Sequence, residues 1–208
     1  ARPPLAGACL RVWTTHPDCR GKSWQGQRCL ALACAGGDLG RAPALGGPRA
    51  AAVLGRLLEV YAAEAFGAKS GADEHSLAAY GALLATLTRE QYLESVHPAV
   101  EKALKKNPEA ALPAVAALTD ALRLDLGPQS LAYVGPALKQ CRSAKDHVRP
   151  LGLAVVASLG RLCGDEGTLL AMVEEVAGVL AGKAGVLGQW HQRLFTAAAL
   201  RALLRAAA

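Results

Sequence analysis

Aromatic residues are scarce in this chain. They make up 4% of its 208 residues, while hydrophobic residues reach 52%. The apolar bulk therefore comes from Ala, Leu and Val, a balance that favours helix over sheet. Long apolar runs are missing too. The longest uncharged ones are near ten residues, such as Leu151 to Gly160. A bilayer crossing needs about 18, so no transmembrane span is expected.

Cysteine occurs six times but never as a C-x₂-C or C-x₃-C pair. Cys9, Cys19, Cys29 and Cys34 lie 10, 10 and 5 positions apart, with His16 between the first two. That spacing is a weak zinc signal. Free or buried thiols are the reading, with Cys141 and Cys163 on apolar stripes as small core residues. Such usage fits a reducing compartment, and a cytoplasmic location is expected.

Catalytic constellations are absent as well. His16, His75, His97, His147 and His191 are scattered one per element, with no convergent nucleophile. GlyGlyAspLeuGly at 36–40 lacks the lysine and the strand–loop–helix context of a phosphate loop. The pairs Asp73/Glu74 and Glu174/Glu175 are neighbours projecting about 100° apart on a helix, which is poor acid–base geometry. No catalytic residue is assigned, no enzyme is expected, and no cofactor or metal is implied.

What is present is a repeat. Pro98 in SVHPAVEKALKKN and Pro136 in YVGPALKQCRSAK are thirty-eight residues apart. Each lies in an apolar helix that runs into a polar turn and a second apolar helix. The first such unit starts with ThrArgGluGln at 88–91, a capping sequence with Thr88 as cap and Gln91 three residues on. Leu93, Val96, Val100 and Ala103/Leu104 follow at helical spacing. Pro98 is expected inside this helix, bending its axis. Asn107-Pro108 makes the turn, and Leu112, Val115, Leu118/Thr119 and Leu122 form the partner stripe.

A second unit carries Leu131, Val134, Leu138 and Cys141, a turn at Ser143–Asp146, then Val148, Leu151, Val155, Leu159 and Leu162. Leu151 and Val155 are placed at the centre of that stripe. A third has Leu169, Met172/Val173, Val176 and Leu180, a GlyLysAlaGly turn at 182–185, and a last helix from Leu187 with Trp190 and Leu194. Second helices are expected near 109, 147 and 187, at the HEAT-type period of about 40 residues.

The fold class is therefore all-α, an α-solenoid of HEAT-type helix pairs, armadillo-like helical. The array covers 51–208, with units at about 49–87, 88–125, 128–164 and 166–206. In the first unit Val53, Leu57, Val60 and Tyr61 precede a second stripe of Leu77, Tyr80, Leu84 and Leu87. Residues 1–50 are read as partly helical, around Trp24–Ala35, and then as a Gly/Pro-rich loop over 36–48. The chain opens on Ala1, and Arg2-Pro3-Pro4 precedes no continuous apolar region, so no signal peptide is expected. The closing LeuLeuArgAlaAlaAla is no polar cap, and a piece of a longer protein is the expectation.

The formal charge of +6 is unevenly placed. Residues 1–55 hold seven Arg/Lys against two Asp/Glu; residues 56–208 hold sixteen against fifteen. The array is nearly neutral, so a polyanion would have to be met by a local patch. One patch has a pattern. Lys102, Lys105 and Lys106 share a helix face at i, i+3 and i+4. One repeat on, Lys139, Arg142 and Lys145 hold the equivalent helix end. Stacked repeats would align the six, all read as exposed, into a stripe along the turn edge, able to follow a phosphate backbone or an acidic protein face. Lysines at helix C-termini also simply oppose the macrodipole. No interleaved aromatics support single-strand stacking, and direct DNA binding is not expected.

The string ArgGluGlnTyrLeuGluSerValHisPro, then LysLysAsnProGluAlaAlaLeu, then LeuArgLeuAspLeuGlyProGlnSerLeuAlaTyrVal resembles the N-terminal HEAT array of a known family. This is the family of the general control non-derepressible protein, the very large activator of the eIF-2-alpha kinase. Lys105-Lys106-Asn107-Pro108-Glu109 and Leu124-Asp125-Leu126 carry the likeness, which runs from about Arg56 to about Ala207. Gly127-Pro128 departs from it by replacing a Ser and stiffening the turn. HEAT arrays also imply that Asp146, Val148 and Arg149 bond between neighbouring repeats. The resemblance implies a non-enzymatic scaffold in the amino-acid starvation response, with the ribosome as partner. The kinase would be met through other parts of the full chain. A generic HEAT adaptor for assembly or transport is the alternative.

Overall fold

Apolar stripes at helical spacing, interrupted by Asn-Pro, Gly-Pro and Gly-Asp junctions, should give short antiparallel helices stacked side by side. A computed structural model describes residues 74–183, 185 and 187–206, together with 55, 58, 59, 61–63, 65 and 66. The described residues from 55 to 66 are all helical. Eight helices follow: α1 Glu74–Leu84, α2 Arg89–Ser95, α3 His97–Lys106, α4 Pro108–Ala121, α5 Leu131–Cys141, α6 Arg149–Arg161, α7 Glu166–Leu180 and α8 Trp190–Ala206. A 3₁₀ turn, Gly127–Ser130, leads into α5. Expectations for residues 1–50 lie outside the described residues.

The helices form two layers. One runs α1, α4, α6, α8 and the other α3, α5, α7, each helix touching the next, while α3 packs on α4, α5 on α6 and α7 on α8. The chain is an all-α helical repeat solenoid. Its core is a continuous apolar seam between the layers, including Leu84, Val100, Leu112, Val115, Val134, Leu138, Val155, Leu159, Met172, Val176 and Leu203.

Local signals act where they were read. Thr88 caps α2 in a complete capping box with Gln91, satisfying two amide donors that the helix itself cannot. The Asn107 side chain accepts from the Ala110 amide, and Pro108 opens α4 where its missing N–H costs nothing. Asp165 caps α7 through the Thr168 amide at 2.7 Å.

Four readings change. Pro98 does not kink a continuous helix: the chain breaks at Val96, and Pro98 stands in the first turn of α3, where a proline removes no helical hydrogen bond. Pro136 does lie inside α5. Leu151 is only partly buried, whereas Val155, Val156 and Leu159 are fully enclosed. The last helix starts at Trp190, three residues later than expected, and Trp190 and Leu194 are exposed while Thr196, Ala199 and Leu203 face the core.

The fourth change concerns the repeat-to-repeat bonds. Asp146 pairs with Arg149 inside its own turn, and Arg149 also donates to the Ser143 and Ala144 carbonyls. Other groups bridge the repeats. Asp125 accepts from the Gly164 amide (3.0 Å) and the Gly127 amide (2.8 Å), and the Leu126 amide donates to the Leu162 carbonyl (2.9 Å). Gly127 has φ of 51°, a left-handed conformation that glycine adopts freely. This permits the turn that presents Asp125, a role beyond stiffening it.

Candidate functional site

The turn edge of the solenoid is where α3 and α5 end. Lys105 and Lys106 occupy the last turn of α3, and Lys102 lies one turn earlier. Lys139 is in the last turn of α5, with Arg142 as its C-cap residue. Cations there face the partial negative end of each helix, which favours them electrostatically.

The two groups are adjacent. Glu109, in the first turn of α4 just after Lys105-Lys106, holds Lys145 of the next repeat at 2.7 Å and 2.9 Å. Lys105 pairs within its own helix to Glu101 at 2.7 Å, and that hydrogen bond holds the Glu101 carboxyl below its usual range. Both pairs are exposed, so water screens them. Among the described residues, Lys102, Lys106, Lys139 and Arg142 have no acidic partner.

Arg142 differs from the expected exposed helix-end residue. It is half-buried, and its Nε is shut away from solvent without a hydrogen-bond partner. Its carbonyl accepts from the Gln192 side chain at 3.2 Å, which ties the end of α5 to the start of α8. Sequence reasoning missed one basic residue on this edge. Lys183 is exposed in the turn after α7, and the GlyLysAlaGly turn at the corresponding point of the third unit was its signal.

Behind the edge lies a buried polar group. Tyr92 and Tyr133 place their hydroxyls 3.3 Å apart, and His97 Nδ1 is 2.5 Å from the Tyr133 hydroxyl. Burial pushes the Tyr92 phenol up to about 12, and it raises Tyr80 and Tyr133 as well. These hydroxyls stay protonated, and those of Tyr92 and Tyr133 serve as bridges between α2, α3 and α5.

Surface grooves of about 350 and 400 Å³ occur among the described residues. The first is walled by Leu122–Asp125 and Arg161–Gly164, the second by Cys163, Leu169, Leu170, Val173 and Leu204. Cys163, common to both, donates its thiol to the Asp165 carbonyl at 3.3 Å. Neither lining contains a histidine to activate it. Cys141 is buried, and burial drives its thiol up to about 12, far from the thiolate form. No cluster of three or more His, Cys, Asp or Glu among the described residues could hold a metal ion. No described helix is long and apolar enough to cross a membrane.

Two layers of stacked helix pairs, with unpaired cations gathered along the turns, define a helical-repeat solenoid that presents a basic edge as its candidate site. The family model of the stalled ribosome sensor GCN1 N-terminal region matches residues 54–187, and the chain belongs to this family. Protein ILITYHIA of Arabidopsis thaliana is 31% identical over 112 residues, covering 54% of this chain and 4% of that protein. Stalled ribosome sensor GCN1 of Mus musculus is 23% identical over 131 residues, covering 63% of this chain and 5% of that protein. The chain thus spans a small fraction of these relatives. No solved structure matches it.

Proposed function

We propose that this chain is a non-enzymatic, ribosome-contacting segment of a cytoplasmic translational regulator. It would act as rigid scaffold in the sensing of stalled ribosomes, and so in activation of the eIF-2-alpha kinase during amino-acid starvation. The kinase itself would be engaged by other parts of the full-length protein. The observation that carries this reading is the family match over 54–187. The edge bearing Lys102, Lys105, Lys106, Lys139, Arg142 and Lys145 supports it physically, because ribosomal RNA is a polyanion and four of these cations are free of acidic partners.

The test is sedimentation of the tagged full-length protein with polysomes, comparing wild type with a Lys102→Glu, Lys106→Glu, Lys139→Glu variant. Wild-type association should fall steeply with salt. The variant should bind more weakly, with a salt slope shallower by about 2–3, since each phosphate contact contributes roughly 0.7–0.9. The three side chains are exposed, so the fold should be retained. Unchanged polysome association and slope would remove the basic edge from the ribosome contact. Absence of wild-type association would leave the generic HEAT adaptor.

A further inference from the structure

Among the described residues, most of the large apolar surface left open lies on one helix. Trp190, Leu194 and Leu204 of α8 are 73%, 53% and 51% exposed, and Leu170 of α7 is the other large apolar side chain open to this degree. With Ala197 and Arg201, both exposed, the three form a row at positions 190, 194, 197, 201 and 204. Its spacing of 4, 3, 4 and 3 is the period with which one helix meets another along a seam. Arg193 and Arg205 are exposed on the two flanks of the row. At 100° per residue, all seven residues fall within about 120° of arc.

This face is not the one on which helix pairs stack. Forty positions earlier, Pro150, Ala154 and Arg161 of α6 are exposed and Ala157 is partly exposed. Yet α6 has α4 on one side and α8 on the other. The equivalent row of an enclosed helix thus stays in solvent, and a further helix pair beside α8 would leave Trp190, Leu194 and Arg201 open. The row changes in character, not in position. On α6 its side chains are small, and Pro113 of α4 is exposed nearby in the same layer. On α8 they become bulky and apolar.

The charge on this face has one sign. No acidic residue occurs from Val176 to the end of the chain, against Lys183, Arg193, Arg201 and Arg205. Arg161 of α6 is paired with Asp120 at 2.8 Å. The three arginines of α8 have no acidic partner among the described residues. A second copy of the chain would bring the same arginines against them, and like charges brought together at an interface are costly. The first 55 residues are basic as well. A phosphate backbone would satisfy the arginines but gain nothing from the leucine and alanine between them. An acidic helix with an apolar row of its own meets both requirements.

We propose that the exposed face of α8 docks an acidic amphipathic helix of a separate protein. The row from Trp190 to Leu204 is about 21 Å long, so roughly 15 residues of partner helix cover it. The partner's apolar row packs on Trp190, Leu194, Ala197 and Leu204, and Asp or Glu beside that row meets Arg193, Arg201 and Arg205. None of these residues belongs to the lysine-bearing turn edge, so the docking does not depend on the ribosome contact.

The probe is a fluorescent helical peptide of about 15 residues, with leucine in the same 4-3-4-3 row and glutamate flanking it. Its binding to the 208-residue chain is compared with that of a scrambled peptide of equal composition, a peptide with lysine for every glutamate, and a single-stranded RNA. The variants Leu194→Ser and Arg201→Glu change exposed side chains and are checked for helicity by circular dichroism. Wild type should bind the acidic peptide, and each variant should bind it roughly fivefold or more weakly. The lysine peptide should prefer Arg201→Glu to wild type. Equal binding of the acidic and scrambled peptides, or equal affinity of all three proteins, would overturn the docking. RNA binding that depends on Arg201 but not on Leu194 would also overturn it and make the face a nucleic-acid surface. A wild-type dimer in sedimentation that Leu194→Ser makes monomeric would replace the partner by a second copy. The peptide measurement is then repeated on the full-length protein. Retained binding there supports a separate partner, and lost binding means that another segment of the same protein covers the face, which refutes the proposal.

Discussion

The two layers approach closely at Gly152 of α6, and this yields a sharp prediction. A Cβ at this position would sit 2.7 Å from the Ala137 carbonyl oxygen, 2.9 Å from the Cys141 nitrogen and 3.1 Å from the Cys141 sulfur. Two of those atoms are backbone, so the methyl of Gly152→Ala can be accommodated only by moving α5. That helix is held on its other flanks by α3 and α7. Overpacking of this kind costs about 1–3 kcal/mol, while replacing glycine by alanine within a helix returns about 1 kcal/mol.

Gly160, on the same helix, separates the two effects. Its Cβ would meet the Ala206 Cβ and Leu203 Cδ2, both at 3.1 Å, which are side-chain atoms on the final helix that can shift slightly. Gly160→Ala gains the same propensity without the backbone collision. The propensity contribution cancels in the comparison, so Gly152→Ala should be less stable than Gly160→Ala by about 1–3 kcal/mol. For a chain of this size that corresponds to roughly 2–12 °C in melting temperature. Thermal unfolding by circular dichroism, with urea midpoints as a check, reads the difference. If Gly152→Ala melts at or above Gly160→Ala, the packing of α5 on α6 is described wrongly.

Two further outcomes follow from burial and capping. Leu159→Ala, at a fully enclosed site, should cost about 2–5 kcal/mol, and Leu151→Ala, at a partly exposed one, clearly less; the reverse order would overturn the register of α6. The Asp165 carboxyl is held below its ordinary 3.8 by hydrogen bonds from the Thr168 hydroxyl and amide, so its contribution is complete above pH 3.8 and disappears as pH falls through the lower folded value. Asp165→Asn keeps a capping acceptor but cannot titrate, so urea midpoints of the two proteins should differ more at pH 7 than at pH 2; a constant difference would sink the linkage.

Features decided within a few residues were legible in the sequence. The Thr88–Gln91 box and the Asn107-Pro108 start of α4 depend only on their own backbone, and both formed as read. Choices of face were harder. In α8 the stripe through Trp190 and Leu194 and the buried stripe through Thr196, Ala199 and Leu203 both have helical spacing. They are offset by two positions, about 200° around the helix. Alanine and leucine on both sides leave the periodicity without a preference, and packing against α6 and α7 decides. The candidate edge divided the same way. Lysines at helix ends were visible, but the Lys145–Glu109 pair spans 36 positions. The bond from the Gln192 side chain to the Arg142 carbonyl spans 50 positions and likewise exists only through the fold.

Bonds between repeats are distributed unequally, and this bears on the basic edge. Apolar stacking is non-directional and lets neighbouring helix pairs rotate against one another, so the polar links fix the angle. Between the first two complete repeats the loop edge has the Leu126–Leu162 backbone bond, the Asp125 carboxylate on Gly164, and the Arg161–Asp120 pair at 2.8 Å. The middle has Tyr133 joined to Tyr92 and His97. The turn edge of that same step has one exposed ion pair, Lys145–Glu109, of a kind worth about 0–1 kcal/mol. One step further on, the turn edge is tied by the Gln192–Arg142 bond and by Arg149 over Phe195. Across that first step the loop edge therefore carries more polar links than the turn where Lys102, Lys106 and Lys139 stand. A polyanion settling on those lysines would compete for Lys145 with Glu109, loosening the weakest link between the repeats while leaving the loop edge as the hinge.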